Sequence, residues 1–326
     1  GMFFVILAIG AVASVVRFTQ GLGAVTNLTD EYPWGLWKAF NVLVAIGLGG
    51  AGFTIMGAVY VFNAERFRAI VRPTVLMAFL AYFSASIALA IDIGRPWAIW
   101  HPIVMWNPHS VLFEVAWCLM LYTCVLMLEG SSMLFERWGW DRLVKIQHAV
   151  TLPIVIVGVV LSTLHQSSLG ALFLIVPGKL YPLWYTQMLP LLFFISAICM
   201  GLAMVLVLSR LSQRAFGRSL GLPVLNGLGR TLAAFLWVYG VVRVFDLATN
   251  HNLHLAFEPT YEAAMFHVEF VLGVVAPAIL LAFPKVRTSA KGLYGAGLLV
   301  ILGFIAYRLN VSVTGFEACL LYTSPS

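Results

Sequence analysis

Apolar residues run almost unbroken through 2–20, 35–62, 73–92, 110–133, 146–165, 182–208, 230–249, 261–283 and 293–309, with short polar connections between them. Each stretch is close to the ~20 residues that a helix needs to cross a bilayer core of ~30 Å. Continuous apolar runs of that length predict transmembrane helices rather than half-buried strands. The expectation is an all-α polytopic membrane protein with about nine spans, forming a single integral membrane domain over 1–326. The first stretch has no basic leader and no convincing cleavage site, which argues against a removed signal peptide.

Composition agrees with the pattern. Hydrophobic residues make up 61% of the chain and charged residues only 10%, well outside the range of a soluble domain. The charges are also unevenly placed. Connections after spans two, four, six and eight carry Arg66, Arg68 and Arg72; Arg137, Arg142 and Lys145; Arg210, Arg214, Arg218 and Arg230; and Lys285, Arg287 and Lys291, which is 13 of the 19 basic residues. The other face holds little beyond Arg95 and Lys179. The positive-inside rule places the amino terminus in the cytoplasm and loop 93–109 outside. A net charge of +6 follows from this asymmetry and is no sign of nucleic-acid binding.

An odd span count leaves the carboxyl terminus outside. Gly1 is not an initiator, and "LLYTSPS" resembles translated adapter sequence, so 319–326 is expected to be non-native. The chain then reads as a fragment lacking a leading segment and at least one final helix. Cys118, Cys124, Cys199 and Cys319 have no CxxC or CxxCH spacing, so neither covalent haem nor an intrinsic iron–sulfur cluster is expected.

The outer connections concentrate the remaining polar groups. "IDIGRPWAIWHPIVMWNPHSVLFE" (91–114) gathers Asp92, Arg95, His101, His109 and Glu114. Trp34, Trp37, Trp97, Trp100, Trp106 and Trp184 lie on the same side and fit an interfacial aromatic belt. Asn107 before Pro108 fits a helix N-cap with proline at the first helical position, which puts Glu114 nearly two turns inside the span. A carboxylate there is costly against lipid and calls for a partner or a polar cavity. Asp92 and Arg95 suit a loop-stapling ion pair or the edge of a site. His165 and Gln166 end span five, Lys38 and Asn41 open span two, Arg243 and Asp246 end span seven, and His267 and Glu269 lie in span eight. Any one of these fits a satisfied core residue, but their convergence on one face points to a site. A carbonyl amphiphile that takes up electrons and protons suits such donors, and a transported solute does too.

The stretch 91–114, with "EYPWGLWKAFNVL" (31–43), "YVFNAERFRAIVRP" (60–73) and "LHQSSLGALF" (164–173), resembles the NrfD/polysulfide-reductase membrane-subunit family, in particular its hydrogenase-2-type, HybB-like branch. The resemblance runs over all but the last few residues. It implies eight to ten helices, with spans two to five and six to nine as two four-helix bundles, in a bacterial or archaeal cytoplasmic membrane. It also implies a respiratory complex that exchanges electrons with menaquinone or ubiquinone. The implied partners are an outer-face ferredoxin-like four-cluster iron–sulfur subunit and a hydrogenase, molybdopterin enzyme or multihaem cytochrome. No haem is implied in the membrane subunit itself. By position, Lys38 and Asn41 fall where quinone is contacted, although the polysulfide-reductase branch has other residues there. Asp92 falls at the acidic end of span three, and His165 in the HQSS motif. The resemblance makes Asp92 and His165 the proton-handling pair, Lys38 and Asn41 ring-oxygen ligands, and Arg95 a group that keeps Asp92 ionised or steadies the loop. Gln166, His101, His109 and Glu114 belong to the same motifs. A proton path through Glu114, Arg243, Asp246, His267 and Glu269 is a further expectation, because ionisable groups within membranes are often functional.

Three rival readings remain. A secondary transporter predicts an inverted repeat and broken helices near the midplane, whereas here the polar groups gather at one face. A haem b cytochrome cannot use His148 with His165, which lie ~25 Å apart along one helix, but a histidine pair across helices stays open to it and an absorption spectrum would expose one. A passive anchor would lack a quinone site altogether.

Overall fold

The computed structural model of the protein describes residues 2–26, 35–175, 178–217 and 220–316, which are helical with no strands. Trp34, Arg218, Cys319 and the expected non-native tail at 319–326 lie outside the described residues. Helix α1 spans Met2–Gln20. Eight longer helices follow, each apolar enough to cross a membrane: α2 Leu36–Tyr60, α3 Glu65–Asp92, α4 Val111–Trp138, α5 Asp141–Leu174, α6 Leu189–Phe216, α7 Leu222–Thr249, α8 Tyr261–Ala282 and α9 Ala290–Thr314.

The helices correspond to the nine expected spans, but their ends differ in an instructive way. On the basic face, α3, α4, α5, α6 and α7 all continue beyond the apolar runs. Arg66, Arg68, Arg72, Arg137, Arg142, Lys145, Arg210, Arg214 and Arg230 therefore stand on helical turns rather than in loops. Hydropathy marks where a chain leaves hydrocarbon, whereas a helix satisfies its own backbone and can continue into water. Gly139 (φ 70°) and Gly217 (φ 67°) stop α4 and α6 in the left-handed conformation that glycine adopts without steric cost.

On the opposite face two boundaries need correction. Helix α4 is capped by Ser110, whose hydroxyl accepts from the Phe113 amide at 3.4 Å, and not by Asn107. Glu114 consequently lies in the first turn of α4, where the helix dipole favours an anion. Helix α6 begins at Leu189, seven residues later than the apolar run suggests, because the segment before it folds inward. Leu180, Leu183 and Trp184 are buried there, and the Tyr181 amide donates to the Gly315 carbonyl at 2.9 Å. Trp184 thus leaves the expected belt, while Trp37, Trp97, Trp100 and Trp106 remain more than half exposed or close to it.

Helices α2, α3, α4 and α5 pack in a ring, each against the next, and α5 returns to α2. Helices α6, α7, α8 and α9 form a second ring. The rings meet where α2 touches α6 and α9, and where α5 touches α6. Accordingly α2 and α6 are the most enclosed spans, with 75% and 78% of their apolar windows buried, against 17% for α5. Small residues permit this closeness, as is usual between membrane helices. A Cβ on Gly49 would lie 2.7 Å from the Tyr82 ring, and one on Gly303 would lie 2.0 Å from the Gly273 backbone.

Three helices contain π-helical stretches: Ala39–Ala45 in α2, Val268–Val275 in α8 and Asn310–Thr314 in α9. Such stretches are rare and recur at functional sites. Each carries a polar residue inside an apolar helix: Asn41, Glu269 and Asn310 respectively.

Candidate functional site

Asp92 is the last residue of α3 and is only 4% exposed. The Trp37 side chain hydrogen-bonds its carboxylate, and Lys38 and Arg17 act on it as nearby positive charges. Lys38 reaches this place because α2 starts at Leu36 on the same face, so that its first turn lies beside the last turn of α3. Arg17 has a second task. Its Nε donates to the Ile91 carbonyl at 2.5 Å and its Nη2 to the Ile93 carbonyl, satisfying acceptors that a helix C-terminus leaves open. Arg95 takes no part in this arrangement. It is exposed and makes no ion pair among the described residues, so the expected Asp92–Arg95 staple is replaced by Arg17 and Lys38. Arg95 follows the helix end and is carried out with the turn.

Deeper in the same bundle, His165 on α5 is fully buried and packs against Tyr82, with ring centres 5.7 Å apart. Tyr82 meets Tyr122 of α4 edge to face at 4.4 Å. Gln166 donates to the Ile46 carbonyl at 3.1 Å and to the Tyr82 hydroxyl at 3.5 Å. Asp92 lies ten residues above Tyr82, or about 15 Å along α3. Asp92 and His165 therefore belong to one bundle but are not in contact. Both ring nitrogens of His165 lack hydrogen-bond partners, as do Asp92 Oδ2, Gln166 Oε1 and Asn41 Nδ2. Leaving a buried polar group unsatisfied costs roughly 1–3 kcal/mol, so this set of orphans is shaped for something that brings complementary groups.

The remaining candidates of this face lie at its rim. His101 stacks edge-on with Trp100 at 4.4 Å, and His109 is exposed. Trp106, Phe113 and Trp117 form an aromatic cluster, and the Trp117 indole donates to the Pro102 carbonyl at 2.8 Å, which ties the loop to α4.

The second bundle holds a different kind of cluster. Glu269 accepts from the Trp184 indole at 3.0 Å and from Asn310 Nδ2 at 2.6 Å. Asp246 accepts from Thr186 and from Asn250 at 2.9 Å, with Arg243 at 3.9 Å. Arg243 also donates to the Leu183 carbonyl at 2.7 Å, and Arg308 donates to the Phe193 carbonyl and Ser196 hydroxyl, each at 2.9 Å. Of the expected proton path, Arg243, Asp246 and Glu269 are brought together. His267 is exposed and Glu114 stands in the other bundle.

Several buried polar residues were not foreseen from the sequence: Arg17, Glu129, Arg308 and Asn310, with Tyr82 and Tyr122 between them. Arg17, Glu129 and Arg308 carried a usable signal, being ionisable residues within apolar runs. The tyrosines carried none, because interior aromatics are common. Glu129 borders a cavity of about 240 Å³ at the basic end of α3, α4 and α5, lined also by Gln147, His148 and Arg72. Among the described residues no three His, Cys, Asp or Glu side chains converge as metal ligands. Of the seven histidines only His165 is buried.

Fold and site together define a polytopic helical membrane protein in which buried carboxylates keep unpartnered oxygens in one four-helix bundle and are fully partnered in the other, beside the partly unsatisfied Arg243 and Arg308. The chain belongs to the family described as "Polysulphide reductase, NrfD", whose sequence pattern matches residues 24–318. It is 34% identical over 312 residues to the probable Ni/Fe-hydrogenase 2 b-type cytochrome subunit of Escherichia coli K12, covering 93% of this chain and 78% of that protein. It is 29% identical over 338 residues to the integral membrane subunit of menaquinone reductase from Nitratidesulfovibrio vulgaris Hildenborough, covering 95% and 79%. Another protein of that organism is 37% identical over 322 residues, covering 96% and 82%.

Proposed function

We propose that this chain is the quinone-reactive membrane subunit of a respiratory oxidoreductase complex in a bacterial or archaeal cytoplasmic membrane, with its basic face in the cytoplasm. It exchanges electrons between an iron–sulfur subunit on the outer face and menaquinone or ubiquinone. The observation that carries this reading is the set of buried, partnerless polar atoms on Asn41, Asp92, His165 and Gln166. The relative that is a menaquinone reductase subunit supports the same substrate class. A bound quinone supplies a two-electron, two-proton carrier. The protein supplies hydrogen-bond donors from Lys38 and Asn41, and proton exchange at Asp92 and His165. The exposed Arg95, His109 and tryptophans of the outer loop suit docking of the soluble partner.

In this reading protons travel along the first bundle. Glu129 borders the basic-face cavity, Tyr122 lies two turns along α4 from it, and Tyr82 links Tyr122 to His165. Asp92→Asn is expected to lower quinone-linked turnover by about a hundredfold or more, the usual worth of a general acid–base group, while the complex still assembles. Turnover at the wild-type rate would sink the assignment and favour a passive anchor. Glu129→Gln is expected to slow proton uptake from the basic face of oriented proteoliposomes without weakening quinone binding. Uptake read by an entrapped pH dye checks this, and an unchanged rate would remove Glu129 from the path.

A further inference from the structure

A groove of about 290 Å³ runs along the seam between the two bundles, between α2 and α5 on one side and α6 and α7 on the other. Its walls include Ala58, Phe62, Phe67, Val159 and Phe235, and four hydroxyl residues. The hydroxyls do not make it polar, because each spends its proton on a backbone carbonyl: Thr54 and Ser162 on Gly50, Thr163 on Val159 and Thr231 on Gly227. What remains is a hydrocarbon surface. From Phe194 to Leu202 the groove follows eight residues of α6, about 12 Å, roughly the depth of one leaflet of a ~30 Å core.

One end reaches the basic face, where Phe62 is 80% exposed. There the Arg66 guanidinium sits 4.6 Å from the centre of the Phe67 ring that lines the groove. Arg66 is exposed and has no ion pair among the described residues, whereas its neighbours Arg68 and Arg72 are held by Glu65 and Glu136. The other end is shut. A Cβ on Gly50 would lie 3.2 Å from Gln166 Nε2 and 3.5 Å from Ala197, so α2, α5 and α6 meet without a gap between the groove and His165. A quinone ring entering this groove would not reach the orphaned groups of the first bundle.

We propose that the seam groove is a binding site for an anionic phospholipid of the basic-face leaflet, with one acyl chain along the groove and the phosphate at Arg66. The lipid fills the wedge that the two bundles leave open and ties α2 and α5 to α6 and α7. Charge complementarity selects the occupant: an arginine with no ion pair among the described residues stands at the polar end of an otherwise apolar slot.

The test is native mass spectrometry of the full chain released from nanodiscs that contain equal phosphatidylglycerol and phosphatidylcholine. One retained phospholipid is expected, with about fivefold preference for the anionic lipid, the size that one basic residue at a membrane surface provides. Arg66→Gln should abolish the preference and keep the lipid. Ala58→Phe should expel the lipid while leaving the far-UV spectrum and monodispersity unchanged. If that variant fails to fold, Arg66→Gln alone still decides the headgroup question. Overturning results are no retained lipid in the wild type, equal retention of both lipids, unchanged preference in Arg66→Gln, or a quinone in place of the phospholipid. Added free phosphate should not displace the lipid; displacement would make Arg66 a plain anion site.

Discussion

At the scale of single residues, the two bundles hold their buried carboxylates differently. In the second, Glu269 has both oxygens occupied, by Trp184 and Asn310. Removing it would leave the Trp184 indole without an acceptor, Asn310 with the Met265 carbonyl alone, and Arg243 with less compensation. Breaking a buried ionic network in this way typically costs 3–5 kcal/mol, so Glu269→Ala is expected to lower the unfolding midpoint in detergent sharply. Trp184→Phe, which deletes one hydrogen bond and part of a fully buried ring, should cost less, roughly 1–3 kcal/mol. Thermal melts that rank the two variants equally would show that the network is not stabilising. In the first bundle the orphaned atoms of His165 and Gln166 mean that the native fold tolerates local cost in exchange for readiness to bind. Asp92, His165 and Gln166 were legible as candidates because they stand out in motifs. Their partners were not, since Arg17 and Tyr82 come from remote parts of the chain.

At the scale of helices, existence was far more legible than extent. Apolar length identified every span, yet it misplaced the basic ends, because a helix in water needs no apolar sequence. It also misplaced the start of α6, because a loop that buries Leu180, Leu183 and Trp184 merges with the apolar run that follows it. Close contacts between helices were equally hidden. Gly273 of α8 meets Gly303 of α9 backbone to backbone, and nothing in an apolar run distinguishes these glycines from Gly295, which has open space around it. Gly303→Val is therefore expected to separate α8 from α9 and abolish monodisperse protein, whereas Gly295→Val should be tolerated. Size-exclusion profiles of the two variants check this, and equal behaviour would mean that the helices can slide apart at little cost.

At the scale of the whole molecule, one helix stands apart. Nearly every described large side chain of α1 is exposed, and its one buried residue is Arg17. Arg17→Ala is expected to release α1 from α3 and so raise the labelling rate of a cysteine placed at Ile93, with the α2–α9 core unchanged. An unaltered rate would mean that the membrane alone holds the helix in place. The division into two rings came from family resemblance and not from any visible repeat, and the contacts between helices now give it a physical basis. The π-helical stretches carry a consequence for how such proteins change over time. A π turn holds an extra residue without disturbing the helix on either side. Deleting one residue from 39–45 would therefore restore ordinary pitch with Trp37 and Lys38 still beside Asp92, and only the wide turn that carries Asn41 would be lost. What the wide turn supplies is thus a local displacement of backbone, one that no exchange of side chains could reproduce.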